Sequence, residues 1–312
     1  MKTRIAIILG LAAAAGTATV HAQASAPFLV AETGEYFESL QQAVAAIGSG
    51  AGTIRIAPGR YGDCAVQEAG RIAFVAEQRG TAIFDGGACE GKATLVLRGR
   101  AASVDGLAFV NVRVEDGNGA GIRLEQGDLE VAYTRFADGQ CGILSHNDRG
   151  SSISIDRSTF SGLGKDPDGD GAHSLYIGDY GRLSVTRTRF ERGTGGHYLK
   201  SRAARIEVLD SSFDDSRGRR TNYLIDLSNG AAGRIAGNVF VNGTGKLNYS
   251  TMVTVAPEGA ENRAAGLVIE ENDVSVVPGF KWHTAFGGDW SGERLVVRNN
   301  RLAPGIALLE RR

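Results

Sequence analysis

Cysteine, proline and aromatic residues are scarce in this chain, and neither sign of charge dominates. Three cysteines among 312 residues (Cys64, Cys89 and Cys141) are too few to build a disulfide scaffold. With 34 basic and 35 acidic residues there is no charge excess of the kind that nucleic acid or an anionic membrane surface selects, so neither is expected as a partner. Beyond residue 24 no apolar run reaches the ~18 residues of a membrane span. Helix-forming composition is also lacking. The 44 glycines are about twice the usual share, and each costs a helix interior about 1 kcal/mol relative to Ala. A mostly helical protein is excluded, while 42% hydrophobic residues still suffice for a packed core.

The one early apolar run has the form of an export signal. Lys2 and Arg4 precede the apolar stretch from Ile5 to Ala15, and Val20-His21-Ala22 or Ala22-Gln23-Ala24 offers a small-x-small cleavage site. Residues 1–22 or 1–24 therefore read as a secretory signal peptide. The mature chain, 25–312, is expected in the periplasm or outside the cell, where a single disulfide is permitted.

A repeat organises the rest. Alternating apolar pairs, each followed by a polar turn and then Phe, recur as Leu129/Val131 with Phe136, Ile153/Ile155 with Phe160, Leu183/Val185 with Phe190 and Ile206/Val208 with Phe213. The phenylalanines at 109, 136, 160, 190, 213 and 240 are 27, 24, 30, 23 and 27 residues apart. Strand alternation at that period signals a solenoid whose coils bury their apolar faces on one another. Leucine-rich repeats share the length, but their fixed consensus is absent. Ser39 is a good N-cap, and Leu40, Val44 and Ile47 form one apolar helical face, so a short helix over 39–47 is expected to cover the open end of the stack. The fold class is an all-β solenoid, a parallel β-helix in one domain with an N-terminal helical cap, running from about residue 50 to 305. Cys64 and Cys89 lie about one coil apart, close enough to bridge, which leaves Cys141 as a buried thiol. This opening resembles that of right-handed parallel β-helix proteins of the pectate-lyase superfold, over residues 30–305.

The repeat is least regular between Phe160 and Phe190, where Lys165-Asp166-Pro167-Asp168-Gly169-Asp170-Gly171 is inserted. Asp166, Asp168 and Asp170 ahead of Gly171 match half of a calcium loop, since alternate carboxylates can turn toward one hard cation. Ile177 stands where an EF-hand needs Glu, so calcium here competes with a plain solvated turn. Next come His173-x-x-Tyr176, then His197-Tyr198-Leu199-Lys200-Ser201-Arg202 one coil later, then Tyr223-x-Ile225-Asp226. With Leu175, Ile177 and Leu199 inward, alternation sends Tyr176, Lys200 and Arg202 outward. Tyr223 and Ile225 inward would send Asp226 out, although a one-residue slip would reverse it. Stacked strands are ~4.8 Å apart, so Tyr176, Lys200 and Asp226 can form one surface cluster.

These segments resemble a recurring group of secreted bacterial right-handed β-helix proteins, over roughly residues 165–260. The resemblance marks a site and carries no settled reaction. The motifs of the polygalacturonase branch are echoed only by Asp214-Asp215 and Gly196-His197, in the wrong order. The leading expectation is a lyase or epimerase on an acidic, uronic-acid glycan, with proton abstraction α to the carboxylate. Lys200 would be the base, Arg202 the charge stabiliser and Tyr176 the proton donor, with His197 a further catalytic candidate. His173, Tyr198, Tyr223 and Asp226 are the candidate substrate contacts. The superfold's lyases use Lys or Arg bases with calcium, so the resemblance implies calcium as the cofactor. Two alternatives stay open: a glycan-binding or envelope protein without turnover, and a glycoside hydrolase pairing Asp226 with Asp168 or Asp170. His146 and His283 read as structural. Trp282 and Trp290 read as packing over the last coils, with stacking on sugar rings the alternative.

Overall fold

The computed structural model of the protein describes residues 26–164 and 172–312. Its strands recur in a fixed order, one for each of three sheets, so that each passage of the chain adds a rung to all three. Among the described residues the sheets hold 12, 10 and 10 strands, and from Ala51–Ile56 onward pairing along them is parallel. This is the parallel β-helix expected from the phenylalanine period.

Side chains alternate along each short strand, and the inward ones stack on their counterparts in the next coil. Phe84, Phe109, Phe136, Phe160, Phe190, Phe213 and Phe240 pair in register along the second sheet. Their ring centroids are 5.7 Å apart at Phe84–Phe109 and close to 4.7 Å at Phe190–Phe213, where the planes differ by 3°. Parallel register forces like onto like. Every ring is buried, and together with the Ile, Leu and Val of the other two sheets they form one continuous core.

The corner before each of these rings has its own chemistry. Tyr133, Arg157, Arg187, Asp210 and Gly237 adopt positive φ there, as do Glu271 and Asn299 ahead of Val274 and Leu302, which continue the row. The residue after each of the first six is polar and buried, and from Ser158 to Asn272 its side chain accepts the backbone N–H of the equivalent residue one coil back. The bonds run Thr134 to Ser158 (3.2 Å), Ser158 to Thr188 (3.4 Å), Thr188 to Ser211 (3.1 Å), Ser211 to Asn238 (2.9 Å) and Asn238 to Asn272 (3.0 Å). A sharp corner would otherwise strand these buried donors, which cost about 1–3 kcal/mol each when unmade.

The helix Leu40–Ile47 forms as its sequence predicts. Ser39 and Gln42 close a reciprocal capping box, and Leu40, Ala43 and Val44 are buried. Ahead of it lies an element that periodicity does not reveal. Phe28–Val30 runs antiparallel to both Glu35–Phe37 and Ala51–Ile56, capping the first sheet with a hairpin. At the other end the strand Ile306–Arg311 extends the third sheet past residue 305. Cys64 and Cys89 are bonded, with Cα atoms 5.5 Å apart, and Cys141 is buried in the strand Cys141–Ser145. No helix among the described residues is long and apolar enough to cross a membrane.

Candidate functional site

The site grows from four consecutive strands of the third sheet: Leu175–Ile177, Leu199–Ser201, Ile225–Leu227 and Thr251–Val255. Leu175, Leu199, Ile225 and Val253 face the core in one row, and the next residue along each strand faces out. Tyr176, Lys200, Asp226 and Thr254 are therefore cross-strand neighbours on the outer face. The expected alternation holds, and Asp226 points outward.

Outward does not mean exposed. Asp226 is 1% accessible and Lys200 7%. Asp226 accepts from Ser228 Oγ and Thr254 Oγ1, both at 2.8 Å, and its carboxylate lies 3.5 Å from Lys200 Nζ and 3.6 Å from His197 Nε2. What covers the pair is Glu258, from the long connection after the fourth strand. One Glu258 oxygen binds Lys200 Nζ and the other binds the Arg202 guanidinium. Burial works against the Glu258 anion, but these two cations hold its carboxyl below the usual range. Arg202 also donates through Nε to Tyr176 Oη at 3.1 Å and through another nitrogen to Asn229 Oδ1. Lys200 Nζ stands 5.5 Å from the centre of the Tyr176 ring.

One wall is a stack of rings. His173 lies over His197 at 4.8 Å, and His197 over Tyr223 at 5.2 Å. Each His Nδ1 accepts a backbone N–H from the following coil, His197 N at 3.0 Å and Tyr223 N at 3.1 Å. A neutral ring that accepts at Nδ1 carries its proton on Nε2, so His197 turns an N–H toward Asp226. Burial pushes both imidazoles down to about 3, with Lys200 adding to the effect on each. Tyr223 keeps out of the apolar core, contrary to the inward placement expected. Its hydroxyl accepts from Asn248 Nδ2 at 2.9 Å, and burial raises its pKa.

Tyr176 and Arg202 line a cleft of about 490 Å³ together with Asp116, Asn118, Arg123, His146 and Asn147. Lys200 does not line it. Tyr176 and Arg202 therefore border the cleft, whereas Lys200 is reached only past them or past Glu258.

A family model described as a right handed beta helix region matches residues 97–277. The chain belongs to this family. That places the right-handed coil on the matched residues, which include every strand of the site. No curated protein matches the chain. Among solved structures it is similar to a pectin methylesterase mutant in complex with a hexasaccharide, at 12% identity and a TM-score of 0.40, covering 88% of this chain and 78% of that one. It is also similar to a tailspike protein of Acinetobacter baumannii bacteriophage Fri1, described as a capsular polysaccharide depolymerase, at 9% identity and a TM-score of 0.39 over 88% of this chain and 55% of that one. At these scores the likeness carries nothing about activity.

The β-helix of this family member brings together most of the candidate residues: Tyr176, Lys200, Arg202, His197, His173, Tyr223 and Asp226. Tyr198 is the exception. It is 1% accessible, and its hydroxyl donates to Asp215 Oδ1 at 2.9 Å, so it cannot touch a substrate. Asp215 is itself fully buried with Lys246 at 3.4 Å, which removes it from any surface chemistry. The calcium ligands expected at Asp166, Asp168 and Asp170 lie outside the described residues. Among the described residues no group of three or more His, Cys, Asp and Glu side chains is arranged to hold a metal. Sequence reasoning missed Glu258 and Thr254, included Asn229 in the motif of the third coil without giving it a role, and set aside His146, which lines the cleft. Glu258 is 58 residues from Lys200 in a connection without period, and no sequence pattern pointed to it.

Proposed function

We propose that the protein is an exported glycan-acting enzyme that binds a uronic-acid sugar at the Tyr176–Arg202 cleft and abstracts the proton α to its carboxylate, as a lyase or an epimerase. One observation carries this reading: Lys200 and Arg202 together grip a carboxylate, that of Glu258, one cation on each oxygen. A sugar carboxylate that displaces Glu258 meets the same two partners. Neutralising that carboxylate acidifies the neighbouring C–H and stabilises the enolate-like anion that follows.

The ion pairs favour a division of roles different from the one suggested by spacing. Lys200 sits between Asp226 and Glu258 behind the cleft wall, which suits a fixed positive charge better than a base. Tyr176 faces the cleft with the Arg202 guanidinium beside its oxygen, so it is the group placed to exchange a proton with the substrate. The pair of electrons left by the α-proton then expels the glycosidic oxygen in a lyase, or receives a proton on the opposite face in an epimerase. The Cys64–Cys89 bond is consistent with export. Calcium at Asp166, Asp168 and Asp170 remains part of the proposal, as a site that neutralises further charge. A hydrolase is less well supported, because it needs two carboxylates open to the sugar and Asp226 is buried. Glycan binding without turnover is the second reading, favoured by the near-complete enclosure of Lys200.

The deciding experiment is incubation with a panel of uronic-acid polysaccharides, following the ultraviolet absorbance of the conjugated double bond and the uptake of solvent deuterium at the α-carbon. Either signal, abolished by Tyr176→Phe, supports the enzyme. Binding by calorimetry with neither signal selects the second reading. Absence of both binding and turnover across the panel overturns the acidic-glycan assignment.

A further inference from the structure

The ring wall of the site does not end at Tyr223. His173, His197, Tyr223, Tyr249 and Trp282 each stand two residues ahead of the third-sheet strand that follows, so successive coils deliver one ring each to the same flank. The first three rings are stacked and engaged with the site. Asn248, adjacent to Tyr249, bonds the Tyr223 hydroxyl and ties the two halves of the wall together.

The far half is built differently. Tyr249 and Trp282 are stacked 4.0 Å apart with planes 7° from parallel, and Phe280 meets both edge-on at 5.9 and 5.3 Å. Trp282 nevertheless remains 45% exposed. Tyr249 takes one face and Phe280 stands steeply inclined to the ring, and no ring among the described residues stacks on the other face of the indole. Trp290 shows the contrast. It lies against Gly288 on one side, where a Cβ would come within 2.8 Å of the ring, and the Arg312 guanidinium stands 5.2 Å from its centre. Trp290 is packed, as expected from the sequence, whereas Trp282 is braced from behind and left open in front.

We propose that the Trp282 face, backed by Tyr249 and Phe280, is a distal sugar-binding subsite, on which a pyranose ring of the same glycan chain stacks. The occupant follows from the shape and the position. A rigid flat aromatic face suits the apolar C–H face of a pyranose, and the wall joins this face to the site along the solenoid axis. The coil of Trp282 is the third after that of Lys200, about 14 Å along the axis, so the subsite engages extended chains and leaves short ones untouched. The acidic character of the chain rests on the function proposed above, but the stacking does not.

Binding of acidic and neutral oligosaccharides, each as a disaccharide and a hexasaccharide, is measured by calorimetry for the wild type, Trp282→Ala and Trp282→Phe. The Ala variant should lose roughly tenfold in hexasaccharide affinity and nothing in disaccharide affinity, with the Phe variant in between. For any substrate turned over, KM for long chains should rise with kcat unchanged. Circular dichroism checks that the variants fold, and quenching of Trp282 fluorescence in a Trp290→Phe background gives a direct readout without truncation. If hexasaccharides bind Trp282→Ala as tightly as the wild type, or no hexasaccharide binds the wild type, the subsite is overturned. Loss of acidic-sugar binding in Arg202→Ala with no effect of Trp282→Ala would leave the carboxylate site standing alone. Trp282-dependent binding of neutral hexasaccharides without any of uronates would leave the subsite standing alone.

Discussion

Lys200, Arg202 and Glu258 show how far single residues carry the proposal. Substituting Lys200→Arg keeps a positive charge and removes an accessible neutral amine. Retention of a substantial part of the turnover fits a charge-holding lysine, while near-complete loss in a folded protein returns the base role to it. Glu258→Gln tests whether that carboxylate occupies the place of the substrate's. An amide grips the two cations less strongly than an anion, by about 1 kcal/mol, so uronate affinity should rise about fivefold in calorimetry. Unchanged or weaker affinity would make Glu258 a permanent part of the binding surface. The histidines make a prediction about pH. Both are held neutral down to about 3, whereas in the unfolded chain they take up protons near 6.5. Below pH 6.5 the unfolded state thus binds more protons than the folded one, and stability falls as pH drops from 6.5 toward 3, by at most about 1.4 kcal/mol per pH unit for each ring. His197→Asn, which keeps an acceptor for the Tyr223 N–H, should flatten that slope in melting curves. An unaltered slope would place the acid sensitivity elsewhere.

At the scale of elements, each short strand owes its place to its neighbours. A three-residue strand such as Leu199–Ser201 cannot hold itself, and its register comes from Leu175 below and Ile225 above. The polar corners lock the turns between strands, and the Cys64–Cys89 bond fastens the start of the third sheet, where the strand Ala65–Gln67 pairs on one side only. Closing that 25-residue loop stabilises by about 3.5 kcal/mol in the chain-entropy picture. Replacing both cysteines by alanine should therefore lower the melting temperature without changing the site, since the bond lies in coils ahead of Tyr176. Loss of glycan binding in a folded double variant would contradict that separation.

For the whole molecule, the stacked phenylalanines are the axis of cooperativity. Phe190→Ala removes a fully buried ring from between Phe160 and Phe213, at an expected cost of about 3–5 kcal/mol, large against a typical total of about 5–15 kcal/mol. Because coils contact only their neighbours, the loss should also raise hydrogen exchange in the coils around Phe190 more than near Phe84. Uniform acceleration would indicate a single cooperative unit instead.

What the sequence by itself determined about this protein is everything that has a period. Repetition of Phe at coil length specified the solenoid, alternation put Tyr176 and Lys200 on the outer face, and the coil rise made them neighbours, while the register that adds Asp226 to them was settled only by the strand pairing. Ser39 and the apolar face of Leu40, Val44 and Ile47 announced the cap, because an N-cap and one helical face are complete within nine residues. Only the tertiary structure decided what lies in the connections. Glu258 covers the site because of how one long loop folds back, and no spacing in the chain encodes that return. Tyr198 turns inward since the buried Asp215–Lys246 pair, brought from later coils, offers its hydroxyl a partner. Asp226 is sealed from water by Ser228, Thr254 and Lys200, three side chains that alternation places nearby but whose closure depends on packing. Period sets which residues meet along the stack, and loop packing sets which of them a ligand can reach.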